Sequence, residues 1–287
     1  MRLKVIKQMY ASRLDNYRDI LVYLPKNYEK NEKRYNVIYF HDGMECFFKE
    51  WSLSGESWKV NEVIDKLVEE KKIEETIIVG IPNNYDRMSE LAHFDFKDKR
   101  EGKEFIEGKG ILYEDFLINE VKPYIDKNFR TKPEREYNTL IGSSMGGMVT
   151  FNIGMRHPEV FSKLGVLSPA FWMAYENGFN EIKKYNYNDF KIWMDYGTGE
   201  GKLITEPSKS VGRILLENGY KYKDEFILYE DLEAPHNEGA WNRRLRDVLL
   251  YLLKGEECEK YNLVLEEDLN KHKMNFEELK FTNYKKE

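Results

Sequence analysis

The stretch Asn138 to Gly147, Asn-Thr-Leu-Ile-Gly-Ser-Ser-Met-Gly-Gly, constrains this chain more than any other. Thr139, Leu140 and Ile141 form a short apolar, β-favouring run. The next residues switch abruptly to glycine and serine, and a helical pattern begins at Gly147 and runs through Met148, Val149, Thr150 and Phe151. That order reads as strand, tight turn, helix. Gly142 to Gly146 fits G-x-S-x-G, in which small flanking residues let the chain turn sharply around a serine in a strained backbone conformation. Ser144 is therefore expected to project from the top of a sheet. The helix that follows aims its unpaired N–H groups and positive dipole end at the same point, where acyl transfer develops negative charge. A phosphate-binding loop is a poor competitor, because no Gly-Lys-Ser/Thr follows.

The rest of the chain supplies the sheet that such a turn needs. With 287 residues it suits one large α/β domain, expected over residues 1–255, with 256–287 as a charged C-terminal extension. Leu3 to Ile6 and Ile20 to Leu24 read as an opening hairpin or meander within residues 1–27. Tyr35 to Phe40 and Thr76 to Pro82 are nearly continuous apolar runs, as expected of buried parallel strands. Leu164 to Pro169, Phe190 to Tyr196 and Glu225 to Glu230 read as further strands. Asn61 to Val68, Ile111 to Phe129 with a kink at Pro123, and Ala240 to Leu253 have helical spacing. Val211 to Leu216 reads as part of a helix ended by Asn218-Gly219. Residues 95–110 are charged and punctuated by glycine, and are expected to form a mobile surface loop. The tail is expected to be helical or partly mobile, with Leu263, Val264, Leu265, Leu269, Phe276, Leu279 and Phe281 docking as an added helix in the first case.

Charge and cysteine content narrow the function classes. The net charge of −6, with basic and acidic residues interspersed, argues against a nucleic-acid partner. No window is apolar enough for a membrane span, and the N-terminus lacks the uninterrupted apolar segment of a signal peptide. Two cysteines without close spacing, Cys46 and Cys258, leave a disulfide between them as one reading, and a reduced, cytoplasmic protein is the favoured one.

In open α/β sheets the site lies at the carboxyl ends of the strands, so the residues found there are the candidates. His41-Asp42-Gly43-Met44 ends one strand. The backbone N–H of Gly43 or Met44 is expected to form an oxyanion hole with that of Met145. His41 itself is expected to pack or hydrogen-bond below the site. Of the five histidines, only His236 both follows the last strand and is flanked by a turn-forming proline and asparagine, Pro235 and Asn237. A serine hydroxyl needs such a histidine as base and a carboxylate to orient it. Glu200, in a glycine-rich turn, is favoured as the acid. Asp195, within the preceding strand, is the alternative. The aromatics Phe171 and Trp172 follow another strand end, where they are expected either to pack beneath a loop, the favoured reading, or to offer a wall for substrate.

Five segments then carry a resemblance: Phe40 to Gly43, Arg87 to Glu90, Gly142 to Gly147, Asp195 to Glu200, and His236 to Trp241. Together, over about residues 15–253, the chain resembles the esterase family of α/β-hydrolases. That family includes S-formylglutathione hydrolases, enterochelin esterases, feruloyl and acetyl-xylan esterases, and mycolyltransferases. The resemblance implies an α/β-hydrolase fold, with a mostly parallel central sheet and helices on both faces. It implies Ser144 as nucleophile, Glu200 as acid, His236 as base, and backbone N–H groups near Met44 and Met145 as the oxyanion hole. Many relatives carry Asp at the acid position, which keeps Asp195 in play. Arg87 and Trp241 join Trp172 as candidate substrate-binding residues, a structural ion pair being the other reading of Arg87. The expected activity is hydrolysis of a small-molecule or carbohydrate-linked carboxylic ester, feruloyl or acetyl, with no metal and no organic cofactor. Acyl transfer by the same residues, and a non-catalytic carbohydrate- or partner-binding module using Trp51, Trp58 and Trp172, are the alternatives.

Overall fold

The computed structural model describes residues 2–52, 54–98, 103–184, 189–255 and 261–273. Strands β1 (Leu3–Ala11) and β2 (Asn16–Tyr23) form an antiparallel hairpin. Then come β3 (Asn36–His41), α1 (Val60–Glu69) and β4 (Thr76–Ile81), followed by a short helix, α2 (Arg87–Glu90), and a second hairpin, β5 (Phe96–Asp98) with β6 (Lys103–Ile106). Helix α3 (Gly110–Asp115) continues through a π-helical stretch, Phe116–Val121, into α4 (Lys122–Asn128). The elbow strand β7 (Asn138–Ser143) leads into α5 (Met145–Arg156). Next are β8 (Lys163–Leu167), α6 (Tyr175–Ile182), β9 (Lys191–Gly197), α7 (Lys202–Glu217), β10 (Phe226–Asp231), α8 (Glu238–Leu249) and α9 (Glu266–Lys271).

Eight of these strands make one sheet in the order β1-β2-β4-β3-β7-β8-β9-β10. From β4 to β10 every neighbour is parallel; only the β1–β2 and β2–β4 pairs are antiparallel. Alternation along each strand splits the core in two, as the period of two requires. Val37 and Tyr39 lie on the side of the sheet covered by α3, α4, α5 and α7, whereas Ile38 and Phe40 lie on the side covered by α1 and α8. On β9, Ile192 and Met194 lie on the first side and Trp193 on the second. Because β3, β7, β8 and β9 are parallel and adjacent, their carboxyl ends share one edge, and the loops that leave them converge there.

Two sequence expectations change and two are filled out. Within residues 95–110, β5 pairs antiparallel with β6, and buried Phe96 and Ile106 anchor the pair, so a few apolar residues suffice to seat two short strands; residues 99–102 lie outside the described residues. The helical stretch around Pro123 adopts π-helical geometry just ahead of the proline, which cannot donate the backbone bond that a regular helix needs there. Helix α7 contains Val211–Leu216 and is capped at Asn218, as expected; it begins as early as Lys202 and tolerates Pro207 inside it. In the tail, Val264 N–H donates to Leu228 O, and Leu269 packs into the space above Gly212 of α7. Leu265 is exposed, however, and Phe276, Leu279, Phe281 and Cys258 lie outside the described residues. Among the described residues no helix is long and apolar enough to cross a membrane.

Candidate active site

Ser144 occupies the sharp turn between β7 and α5, with φ 55° and ψ −121°. This is a conformation that a non-glycine residue adopts only when the surroundings impose it. They do so from both sides. Its N–H donates to Leu167 O at 2.9 Å, and its carbonyl accepts from Ala170 N–H at 2.9 Å. A Cβ on Gly142 would lie 2.4 Å from Gly146 O, so the turn closes only with glycine there. A Cβ on Gly146 would lie 3.1 Å from Asp42 Oδ2, which brings the loop after β3 against the start of α5.

His236 follows β10 and immediately precedes the N-cap of α8, where Asn237 Oδ1 accepts from Ala240 N–H at 2.9 Å. Its Nε2 is 2.9 Å from Ser144 Oγ, across 92 residues of sequence. The other ring nitrogen, Nδ1, lies 3.5 Å from Glu200 Oε2. Apart from that approach, this carboxylate oxygen has no hydrogen-bond partner among the described residues. The Glu200 side chain is fully buried, whereas that of His236 is about one-third exposed, 34%. Serine, imidazole and carboxylate thus lie in line, with the histidine reaching solvent and the acid shielded from it.

Asp195 sits elsewhere. Its Oδ1 accepts from the Ser168 N–H at 3.0 Å, and its Oδ2 accepts from the Trp193 indole at 2.7 Å. Arg244, on α8, brings NH1 to 3.0 Å from Asp195 Oδ1 and donates from NH2 to Ser168 Oγ at 3.0 Å. Burial pushes the Asp195 carboxyl up to about 6 although Arg244 pulls the other way. Of the two carboxylates weighed in the sequence, Glu200 is the one within reach of His236.

The loop after β3 carries the other candidates. Gly43 N–H donates to Ile81 O at 2.9 Å, so it is already used within the sheet and is not available to an oxyanion. The N–H groups of Met44 and Met145 make no hydrogen bond among the described residues. Arg87 grips Asp42 with two bonds, Nε to Oδ1 at 2.6 Å and NH2 to Oδ2 at 2.7 Å, while Asn83 donates to Oδ1 at 2.8 Å. Burial alone would raise the Asp42 carboxyl, but the Arg87 charge and these bonds hold it below its ordinary value. The structural ion pair considered for Arg87 is therefore present. His41 lies beneath, with Nδ1 2.7 Å from Tyr113 OH, and burial drops it to about 3, so it stays neutral.

Two aromatic candidates for substrate contact are placed differently from expectation. Trp241 is buried, donates its indole N–H to Ser168 Oγ at 3.0 Å and stands edge-on to His236. Trp58 is also buried, against Phe40 and Trp241, and so supports the site from below. Both are large apolar rings on packed elements, and burial outweighs exposure for such surface. Trp172 is half-buried and packs on the core, and Trp51 is 63% exposed.

Ser168 and Arg244 were not singled out in the sequence. Arg244 had a legible signal, because it lies among Ala240, Trp241, Leu245 and Val248 on the buried stripe of α8, where a lone charge demands a partner. Among the described residues, no group of three or more His, Cys, Asp or Glu side chains is placed to hold a metal ion.

An eight-stranded, mostly parallel sheet with helices on both faces, and a serine on its central strand turn, defines the α/β-hydrolase fold. The chain belongs to the esterase family described as "Putative esterase", whose model matches residues 11–252, and is thus a hydrolase acting on ester bonds. It is 35% identical over 240 residues to an endo-1,4-beta-xylanase/feruloyl esterase of Xylanibacter ruminicola, a match covering 81% of this chain and 29% of that one. Among solved structures, an IroE-like serine hydrolase from Shewanella oneidensis superposes with a TM-score of 0.70 at 19% identity, covering 88% of this chain and 80% of that one. A ferulic acid esterase superposes with a TM-score of 0.64 at 21% identity, covering 88% and 98%. At these identities the structural matches show the fold.

Proposed function

We propose that this protein is a serine carboxylesterase in which Ser144 is the nucleophile, His236 the general base and Glu200 the acid that orients it. The 2.9 Å contact between Ser144 Oγ and His236 Nε2, made at a strained turn, carries this reading. His236 takes the serine proton as Oγ attacks the ester carbonyl, and Glu200 stabilises the imidazolium that results. The tetrahedral oxyanion is held by the N–H groups of Met44 and Met145, aided by the α5 dipole. Collapse expels the alcohol, which takes its proton from His236, and leaves an acyl group on Ser144. Water, activated by the same histidine, then releases the acid.

For substrate class, the feruloyl esterase named in the 35% identical relative favours a hydroxycinnamoyl ester of a carbohydrate, with exposed Trp51 offered as a stacking surface. The buried free thiol of Cys46 fits a reducing, cytoplasmic setting. Labelling by a fluorophosphonate, with hydrolysis of methyl ferulate compared with p-nitrophenyl acetate and acetylated xylan, tests the reading. Labelling that disappears in Ser144→Ala is expected, together with preference for the ferulate. Undiminished hydrolysis by Ser144→Ala would overturn it.

A further inference from the structure

The hydroxyl of Ser168 lies at the meeting point of the site's buried polar groups. A serine hydroxyl has one proton to give and two lone pairs to receive with. Around Ser168 Oγ, the indole N–H of Trp241 and the guanidinium NH2 of Arg244, both at 3.0 Å, can only donate. They fill the two lone pairs. The single proton of Ser168 then has one direction left, towards Glu200 Oε1 at 2.6 Å. With Oε1 engaged, Glu200 presents Oε2 to His236 Nδ1, and Oε2 has no other polar neighbour in hydrogen-bond contact among the described residues.

The backbone of Ser168 is as constrained as its side chain. Its φ of 42° is left-handed for a residue that is not glycine, and its N–H is held 3.0 Å from both the carbonyl and Oδ1 of Asp195. Backbone strain of this kind persists only where neighbours over-determine it. Asp195 also draws in Arg244, whose NH1 lies 3.0 Å from Oδ1. Arg244 is almost wholly buried, with 3% of its side chain exposed, so it has little freedom to point elsewhere.

We propose that Ser168 is a positioning residue that turns the free oxygen of Glu200 onto His236, with Trp241, Arg244 and Asp195 fixing the direction of its hydroxyl. This rests on the reading of Glu200 as the acid. The carboxylate excluded from the histidine thereby gains a role, since Asp195 anchors the guanidinium that aims the serine that orients Glu200.

Steady-state kinetics on Ser168→Ala, Glu200→Ala and the double variant, each checked for cooperative melting, provide the test. Ser168→Ala is expected to lower kcat about 10- to 100-fold, the value of a buried hydrogen bond to a charged group, with KM within about twofold. In the Glu200→Ala background the same change is expected to do nothing further, because its route to the histidine is gone. Trp241→Phe, which keeps the ring and removes one donor, is expected to show a smaller loss that Glu200→Ala also absorbs, and it serves if Ser168→Ala does not fold. Full activity in both Ser168→Ala and Trp241→Phe, or an equal loss with and without Glu200, would overturn the proposal. If Glu200→Ala itself retained full activity, the assignment of the acid would fail first, which is a separable result.

Discussion

The α-carbon of Gly197 presses so closely on the carbonyl of Ala234 that a Cβ there would stand 2.1 Å from the oxygen. Gly199 makes a similar approach, at 2.9 Å, and Thr198 Oγ1 accepts from Glu233 N–H at 2.7 Å. The turn bearing Glu200 and the loop bearing His236 are thus packed backbone to backbone. Gly197→Ala is expected to part them, costing about 1–3 kcal/mol of stability by overpacking and lowering kcat by at least tenfold. Thermal melting and the rate of fluorophosphonate labelling measure the two effects, and a variant with normal values of both would refute the packing argument.

The two buried carboxylates should separate by role. Glu200→Gln is expected to lower kcat about 10³- to 10⁴-fold, because the imidazolium loses its counter-charge. Asp195→Asn leaves Arg244 short of a partner in the interior and should show chiefly as a lower Tm, with kcat reduced about tenfold or less. Reversal of that ranking would make Asp195 the acid.

Glu45 offers a dependence of stability on pH. Burial, together with the nearby charges of Asp42 and Glu238, outweighs the attraction of Arg87 and pushes its carboxyl up to about 8. The folded state therefore holds this proton more tightly than the unfolded chain does. The resulting contribution is complete below the ordinary value of 4.5 and is lost as pH rises through about 8. Glu45→Gln should melt like the parent near pH 4.5 and several degrees above it at pH 9. Calorimetry across that range checks this, and a constant gap would count against it.

Glu114 predicts the opposite trend. Burial would raise its carboxyl, but hydrogen bonds with His157 at 2.8 Å and His93 at 3.0 Å, and the charge of Arg156, bring it down to about 2. A depressed carboxyl stabilises above its ordinary value of 4.5 and stops doing so as pH falls through about 2. Glu114 on α3 is thereby tied to the end of α5 and to the loop at His93. Glu114→Gln should cost about 2–3 kcal/mol at pH 6 and progressively less on acidification, as measured by urea unfolding at each pH.

Much of the fold was legible because buried parallel strands leave apolar runs, and β3, β4, β7, β8, β9 and β10 each have one. The β5–β6 hairpin was not, since two buried side chains, Phe96 and Ile106, leave too weak a pattern in a charged stretch. Within the site, the separation of Gly43 from Met44 depended on which N–H the sheet had already taken, and no sequence pattern records that. Trp241 reads as a surface aromatic beside a catalytic-type motif until α8 is docked and turns it inward.

The sequence by itself determined the sharp turn at Ser144 and the strand ends from which the candidate acid and base had to come. Both are local matters of glycine spacing and apolar runs. Only the tertiary structure decided how the buried charges pair: Glu200 with Ser168 and His236, Asp195 with Trp193 and Arg244, Asp42 with Arg87. Pairing is settled by distances of about 3 Å between groups far apart in the chain, and in a low-dielectric interior such distances decide which carboxylate faces the histidine.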